Sequence, residues 1–170
     1  PVRREHRTRA LVLRTFDQNE SDRLVHLYTE HLGRVSAIAK GARRSKRRFP
    51  GALELFSLID VRLVAPPRSA LMRLEAARVV QPLEGLTQDL VRFAIACQFV
   101  ELLDRLTADG EGNPELFGFA AGVLDVLRAE RPDRLLAVLV LLKTLARLGY
   151  RPQLAACAVC GSALGGALAA

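Results

Sequence analysis

Leu53-Glu54-Leu55-Phe56-Ser57-Leu58-Ile59-Asp60-Val61-Arg62-Leu63-Val64 is the stretch on which the fold turns, because apolar and polar side chains alternate along it. In an extended chain Leu53, Leu55, Ile59, Val61 and Leu63 share one face, while Glu54, Asp60 and Arg62 share the other. That is the pattern of a strand with one side in a core and one in water. Phe49-Pro50-Gly51 before it and Ala65-Pro66-Pro67-Arg68-Ser69 after it are turn signals.

Working outward, further strands are predicted over Thr8–Phe16, Arg23–Thr29, Val35–Lys40 and Leu71–Val79, with Glu30-His31-Leu32-Gly33 turning the second into the third. Five short strands between residues 8 and 80, with no crossover helix among them, suggest a small closed antiparallel barrel. The oligonucleotide-binding (OB) barrel is the common five-stranded example, and an SH3-like barrel reads the same way. After Gln81-Pro82 the period changes to threes and fours: Leu86, Leu90, Phe93, Cys97, Val100 and Leu103 form one helical stripe. Asn113-Pro114-Glu115 caps a second helix, with Leu116, Ala120, Val123 and Leu127 as its stripe. A third opens at Pro132, runs through Leu135, Leu142 and Leu145, and stops at Leu148-Gly149. The expected class is therefore α+β: an OB-type barrel over residues 1–80, a small helical bundle over 81–152, and a terminal segment over 153–170.

The chain has a formal charge of +7, and its distribution is uneven. Residues 1–80 carry 17 Lys or Arg against 8 Asp or Glu, whereas 81–170 carry 8 against 10. One half is built for a polyanion. Within it, Lys40-Gly41-Ala42-Arg43-Arg44-Ser45-Lys46-Arg47-Arg48 holds six basic residues in nine and no acid. Such a run repels itself and is expected to be a mobile loop, and a phosphate backbone relieves that repulsion while releasing counterions. Gly41 permits close backbone approach, and arginine grips phosphate with two donors. Of the barrel aromatics Phe16, Tyr28, Phe49 and Phe56, most are needed for the core, so binding is expected to be electrostatic rather than sequence-reading.

Cys157-Ala158-Val159-Cys160-Gly161 is the first half of a zinc ribbon or knuckle, a turn that presents two thiolates to one metal. Zinc takes four ligands, Cys97 lies on a helical core stripe, and the ten residues after Cys160 contain no Cys, His, Asp or Glu. The zinc segment therefore reads as truncated. No phosphate-binding Gly-rich loop or serine nucleophile elbow occurs, and His6, His26 and His31 are scattered, so no enzyme is expected. The rival chemistry is a metal-dependent nuclease using Asp17, Glu20 and Asp22, and the rival polymer is RNA. The longest apolar run, Leu135–Leu142, is far short of the roughly 18 to 20 residues that span a bilayer, and no signal core precedes the first strand. A cytoplasmic, nucleoid-associated location without membrane contact is expected.

Several stretches resemble the bacterial RecO family of DNA recombination and repair mediators. Leu11-Val12-Leu13-Arg14, Glu20-Ser21-Asp22-Arg23-Leu24-Val25, Tyr28-Thr29-Glu30, Gly33-Arg34-Val35 and Ala39-Lys40-Gly41-Ala42-Arg43-Arg44 are similar to its N-terminal barrel. Asn113-Pro114-Glu115-Leu116-Phe117 and Leu148-Gly149-Tyr150-Arg151-Pro152-Gln153-Leu154, followed by Cys157 and Cys160, are similar to its helical domain and zinc-binding start. The resemblance implies a protein that binds single- and double-stranded DNA, anneals strands without ATP and helps load the RecA recombinase onto coated single strands. It also implies RecR and the acidic tail of single-stranded DNA-binding protein as partners. It assigns Arg34, Lys40, Arg43, Arg44, Lys46, Arg47 and Arg48 to DNA contact, and Cys157 and Cys160 to a zinc ion completed by a later cysteine pair. Together with Arg128, Arg131, Arg134, Lys143 and Arg147 near the second and third helices, it points to a groove for an acidic peptide. A second basic face would carry Arg9, Arg14, Arg62 and Arg73.

Overall fold

The computed structural model describes residues 4–45, 47–66, 71–81, 85–130 and 133–163. Lys46, the Pro67-Arg68-Ser69 turn, Arg131, Pro132 and the residues after 163 lie outside the described residues. Five strands come first: β1 (Arg4–Asp17), β2 (Arg23–Thr29), β3 (Gly33–Ala39), β4 (Leu58–Ala65) and β5 (Met72–Gln81). Helices α1 (Leu90–Leu106), α2 (Pro114–Ala129) and α3 (Arg134–Arg147) follow.

Strand β1 closes the sheet by pairing twice. Its first half runs antiparallel to β4 from Arg4↔Ala65 to Leu11↔Leu58. Its second half runs antiparallel to β2 from Ala10↔Thr29 to Asp17↔Arg23, with a register shift between Val12 and Arg14. That irregularity bends the strand from one partner to the other. The order β1-β2-β3-β5-β4 returns to β1 as a closed barrel. One ladder departs from the antiparallel expectation: β3 and β5 run parallel at Ala37↔Met72 and Ile38↔Arg73.

The barrel carries apolar side chains on both its faces. Ala10, Val12, Val25, Leu27, Ile59, Val61, Leu63 and Leu74 fill the inside, plugged by Phe49 and Leu53. Leu11, Leu13 and Tyr28 point outward into a second core with Phe56, Phe99, Leu103, Phe117 and Leu127. The unbroken run Ala10–Leu13 is thus what a strand covered on both sides requires.

Strand β4 begins at Leu58 rather than Leu53, and β3 ends at Ala39 rather than Lys40. The stretch 52–57 is a plug. Phe56 adopts φ +67, its N–H donates to the Val12 carbonyl at 2.9 Å, and the Val12 N–H donates to the Ser57 carbonyl at 3.0 Å. Leu53 lies in the inner core and Leu55 and Phe56 in the outer one, so this stretch does not keep the single face its alternation implied.

The helices start where caps place them. The carboxylate of Asp89 accepts from the N–H groups of Val91 and Arg92, Asn113 from Leu116, and Asp133 from Leu136. Starting α1 at Leu90 leaves that residue 82% exposed, and Leu86 is buried ahead of the helix. The stripe of α2 is as expected, with Leu116, Ala120, Val123 and Leu127 all buried. On α3 the buried residues are Val140 and Thr144, not Leu135, which is 64% exposed in the first turn. Among the described residues no helix is long and apolar enough to cross a membrane.

Barrel and helices are locked at one corner. The Arg34 N–H donates to the Ala108 carbonyl at 3.3 Å, and the Gly110 N–H to the Arg34 carbonyl at 3.4 Å. Gly33 and Gly112 make this approach feasible: a Cβ on Gly33 would lie 2.4 Å from the Glu111 carbonyl oxygen, and one on Gly112 2.2 Å from that of His31.

Candidate nucleic-acid interface

The basic segment after β3 is a series of hydrogen-bonded turns rather than a free tether. Gly41 takes φ +65, and its N–H donates to Asp22 Oδ1 at 2.7 Å. That bond, followed by those from Asn19 and Ser21, holds the Asp22 carboxyl below its ordinary range. The N–H groups of Arg44 and Ser45 both donate to the Gly41 carbonyl, at 3.2 and 3.0 Å. Arg48 closes the loop: its Nη2 donates to the Lys40 carbonyl at 2.6 Å, and its guanidinium lies 5.2 Å over the ring of buried Phe49. The Ala77 N–H donates to the Arg48 carbonyl at 2.9 Å, tying the loop to β5.

Lys40, Arg43, Arg44 and Arg47 face water. Arg43 reaches Asp17 at 3.7 Å and Arg44 reaches Glu20 at 3.9 Å, both long, exposed pairs that contribute little. Lys40 and Arg47 are exposed and make no ion pair among the described residues. The turn acids Asp17, Glu20 and Asp22 therefore lie along the loop as separate partners. No group of three His, Cys, Asp or Glu able to hold a metal occurs among the described residues.

Arg34 stands apart. Its Nε meets Asp109 Oδ1 at 2.6 Å, and its Nη1 donates to the Asp104 carbonyl and lies 3.8 Å from Asp104 Oδ1. Arg14 Nε reaches Asp104 Oδ2 at 2.9 Å and His26 Nδ1 reaches Oδ1 at 3.5 Å, so β1, β2 and β3 converge on one nearly buried carboxylate of α1.

One basic surface combines residues from distant parts of the sequence. Arg7, Arg9, Arg62 and Arg78 on the outer faces of β1, β4 and β5 join Arg47 and Arg48 around an open depression of about 880 Å³. In the ladders Arg7 stands opposite Arg62, Arg9 opposite Asp60, and Asp60 opposite Arg78. Six arginines against the carboxylates of Glu30 and Asp60 leave the lining strongly cationic. Arg9 is held by Glu30 through two bonds, at 2.8 and 3.0 Å, which raise the arginine's pKa and lower the glutamate's. Of the second basic face, Arg9 and Arg62 line this depression, Arg14 turns to α1, and Arg73 pairs with Glu75 at 2.8 Å. The outward parity of Arg62 is legible in sequence, whereas the strand order that brings it between Arg7 and Arg78 is not.

The helical cations are spread out. Arg134 and Arg147 are the first and last residues of α3, about 20 Å apart at 1.5 Å per residue. Arg147 lies 4.1 Å over the Phe119 ring, and Arg128 pairs with Asp125. Beyond them, the Cys157 N–H donates to the Ser162 carbonyl and the Gly161 N–H to the Cys157 carbonyl, each at 2.9 Å, with Gly161 at φ +71. Cys160 Sγ sits 2.9 Å from Ser162 Oγ, and this contact leads the causes that lower its thiol pKa to about 7. The knuckle brings two thiols to one turn, and among the described residues no third His, Cys, Asp or Glu joins them in a group able to hold a metal.

A closed five-stranded barrel with an arginine-lined outer face and a basic loop, followed by three helices, defines an α+β class of protein that presents a cationic barrel surface. Residues 3–83 match the family model described as Recombination protein O N terminal, and residues 87–169 match Recombination protein O C terminal. The chain belongs to the RecO family. It is 42% identical over 158 residues to the DNA repair protein RecO of Myxococcus xanthus (strain DK1622), covering 92% of this chain and 64% of that protein. The DNA repair protein RecO of Syntrophobacter fumaroxidans (strain DSM 10017 / MPOB) is 37% identical over 158 residues, 93% of this chain and 62% of that protein. That of Geobacter metallireducens (strain ATCC 53774 / DSM 7210 / GS-15) is 42% identical over 158 residues, 91% and 63% respectively. The chain thus spans a little over six tenths of the length of these curated relatives.

Proposed function

We propose that this chain is the DNA-binding part of a non-enzymatic recombination mediator, holding phosphates along the arginine depression and the loop Lys40–Arg48. The observation that carries the reading is the depression lined by Arg7, Arg9, Arg47, Arg48, Arg62 and Arg78. Arg7 and Arg62 face each other across a ladder, Arg7 holding only an exposed pair with Glu5 at 3.1 Å, and a bound phosphate would relieve their repulsion. Phosphate contacts hold the polymer in register without reading its sequence, which suits a protein acting on any broken chromosome. An OB-type barrel is consistent with the five-stranded closed order.

Membership of the family supports annealing of strands, assistance to RecA loading, and RecR and the acidic tail of single-stranded DNA-binding protein as partners. It also supports Cys157 and Cys160 as two ligands of a zinc ion completed by ligands outside this chain. The reading is tested by fluorescence anisotropy of labelled single- and double-stranded DNA, with matched RNA as competitor, across a salt series. Salt-dependent DNA binding that weakens when Arg7, Arg62 and Arg78 are replaced by Ser supports it. Unchanged binding removes the depression from the site, and tighter binding of the RNA redirects the reading to an RNA-binding protein.

A further inference from the structure

Four aromatic residues belong to the barrel and its loops, and three are buried: Tyr28, Phe49 and Phe56 are 1%, 6% and 3% exposed. Phe16 is 45% exposed. It stands near the end of β1 opposite Leu24 of β2, braced edge-on by the His26 ring at 5.6 Å and 67°. A single exposed apolar residue is ordinary on a protein surface. Phe16, however, lines an open depression of about 660 Å³ with Leu53 and Leu55 as apolar walls. The charges of that lining cancel: Arg23 lies 3.0 Å from Asp17 and 3.6 Å from Glu54. The remaining cation, Arg14, is held by Asp104 at 2.9 Å.

This second depression is joined to the first by the basic loop. Arg43 at one side of the loop reaches Asp17, which lines the Phe16 depression, at 3.7 Å. Arg47 and Arg48 at the other side line the arginine depression. A cationic track thus runs from a surface suited to phosphates to a neutral, partly apolar one with an open aromatic ring. A polynucleotide has the complementary pattern, an anionic backbone carrying neutral heterocycles. Bases of a duplex are stacked on one another and turned inward, whereas those of a single strand are free to stack on a ring.

We propose that Phe16 is a stacking platform for an unpaired nucleobase of a single strand whose phosphates follow the loop Lys40–Arg48. The assignment rests on the DNA-binding reading above and adds to it a preference for single strands that phosphate contacts cannot supply. The test uses the full chain and three labelled probes: an oligothymidylate, an abasic phosphodiester of the same length, and a duplex. The unaltered chain binds the oligothymidylate more tightly than the abasic probe by roughly fivefold or more. Phe16→Ala abolishes that difference and leaves abasic and duplex affinities unchanged. Phe16→Trp keeps it and, as the one Trp in a chain that has none, has its emission quenched by the oligothymidylate and not by the abasic probe.

Retention of the full base-dependent advantage by Phe16→Ala overturns the proposal, and is the result expected if an apolar peptide covers the ring instead. Unaltered emission of Phe16→Trp, at oligothymidylate concentrations where anisotropy reports binding, overturns it equally. Failure of the unaltered chain to bind any of the probes overturns the DNA-binding reading itself, and the platform with it.

Discussion

Arg7 on β1 stands directly opposite Arg62 on β4, two exposed arginines paired across an antiparallel ladder. Like charges so placed disfavour the free protein slightly, an exposed pair of Arg7 with Glu5 at 3.1 Å offsetting little of it, and Arg78 on the next strand lines the same depression. Replacing Arg7, Arg62 and Arg78 by Ser should weaken binding to all DNA sequences alike. If each arginine neutralises one phosphate, the slope of log affinity against log salt becomes shallower by about 2 on single strands. Thermal unfolding of the variant should be unchanged or slightly higher, because an exposed repulsion has been removed.

The loop should behave differently at its two ends. Arg43, Arg44 and Arg47 point into water, whereas Arg48 bonds the Lys40 carbonyl and covers Phe49. Replacing Arg43, Arg44, Lys46 and Arg47 together by Ser should reduce the single-strand salt slope by about 3 with little change in melting temperature. Arg48→Ser should instead lower the melting temperature, since it removes the bond that closes the loop. A four-residue variant with an unaltered salt slope would place the DNA elsewhere on the barrel.

Arg34 is a cation with a structural post. Its removal leaves Asp104, whose side chain is 8% exposed and whose Oδ1 has no hydrogen-bond partner among the described residues, with Arg14 and His26 alone. Arg34→Ala should cost about 1 to 3 kcal/mol in urea unfolding, the range for leaving a buried acceptor such as the Asp104 carbonyl without its donor. Its salt slope for DNA should stay close to that of the unaltered chain. A slope that falls with unaltered stability would instead make Arg34 a phosphate contact.

These contrasts mark what alternation and clustering reveal. Ile59, Val61 and Leu63 are buried and Asp60 and Arg62 exposed, as parity requires, and Asn113-Pro114 opens α2 at the expected residue because cap and proline act locally. Leu90 and Leu135 mislead because period alone ignores Asp89 and Asp133, whose caps put both leucines in unpacked first turns. The basic loop is contiguous and therefore visible as a charge cluster. The arginine depression is assembled from three strands whose adjacency depends on the ladder order, which no local pattern encodes.

Gly112 and Gly51 offer a matched test of the corner where barrel meets helices. A Cβ at Gly112 would lie 2.2 Å from the His31 carbonyl oxygen, while one at Gly51 would meet nothing within 4 Å. Gly51→Ala carries only the left-handed backbone cost of its φ +64, about 1 to 2 kcal/mol. Gly112→Ala must push the β2–β3 turn off the segment before α2, breaking the bonds between Arg34, Ala108 and Gly110, and should cost more than Gly51→Ala. Chemical denaturation of the two variants side by side measures the difference. Equal losses would show that the corner yields without penalty.

Cys160 should be the reactive thiol of this chain. The hydroxyl of Ser162 at 2.9 Å leads the interactions that lower its pKa to about 7, so much of it is thiolate at neutral pH. Burial, followed by the charge of Glu101, pushes the Cys97 thiol the other way and keeps it protonated. With chelator present to keep metal from the thiolates, alkylation by iodoacetamide followed by mass spectrometry should modify Cys160 with a midpoint near pH 7 and leave Cys97 slow throughout. Ser162→Ala removes the leading cause of the shift, so the Cys160 midpoint should move upward, toward that of an ordinary thiol. A midpoint that stays near 7 in that variant would assign the lowering to the backbone of the knuckle and to Cys157 instead.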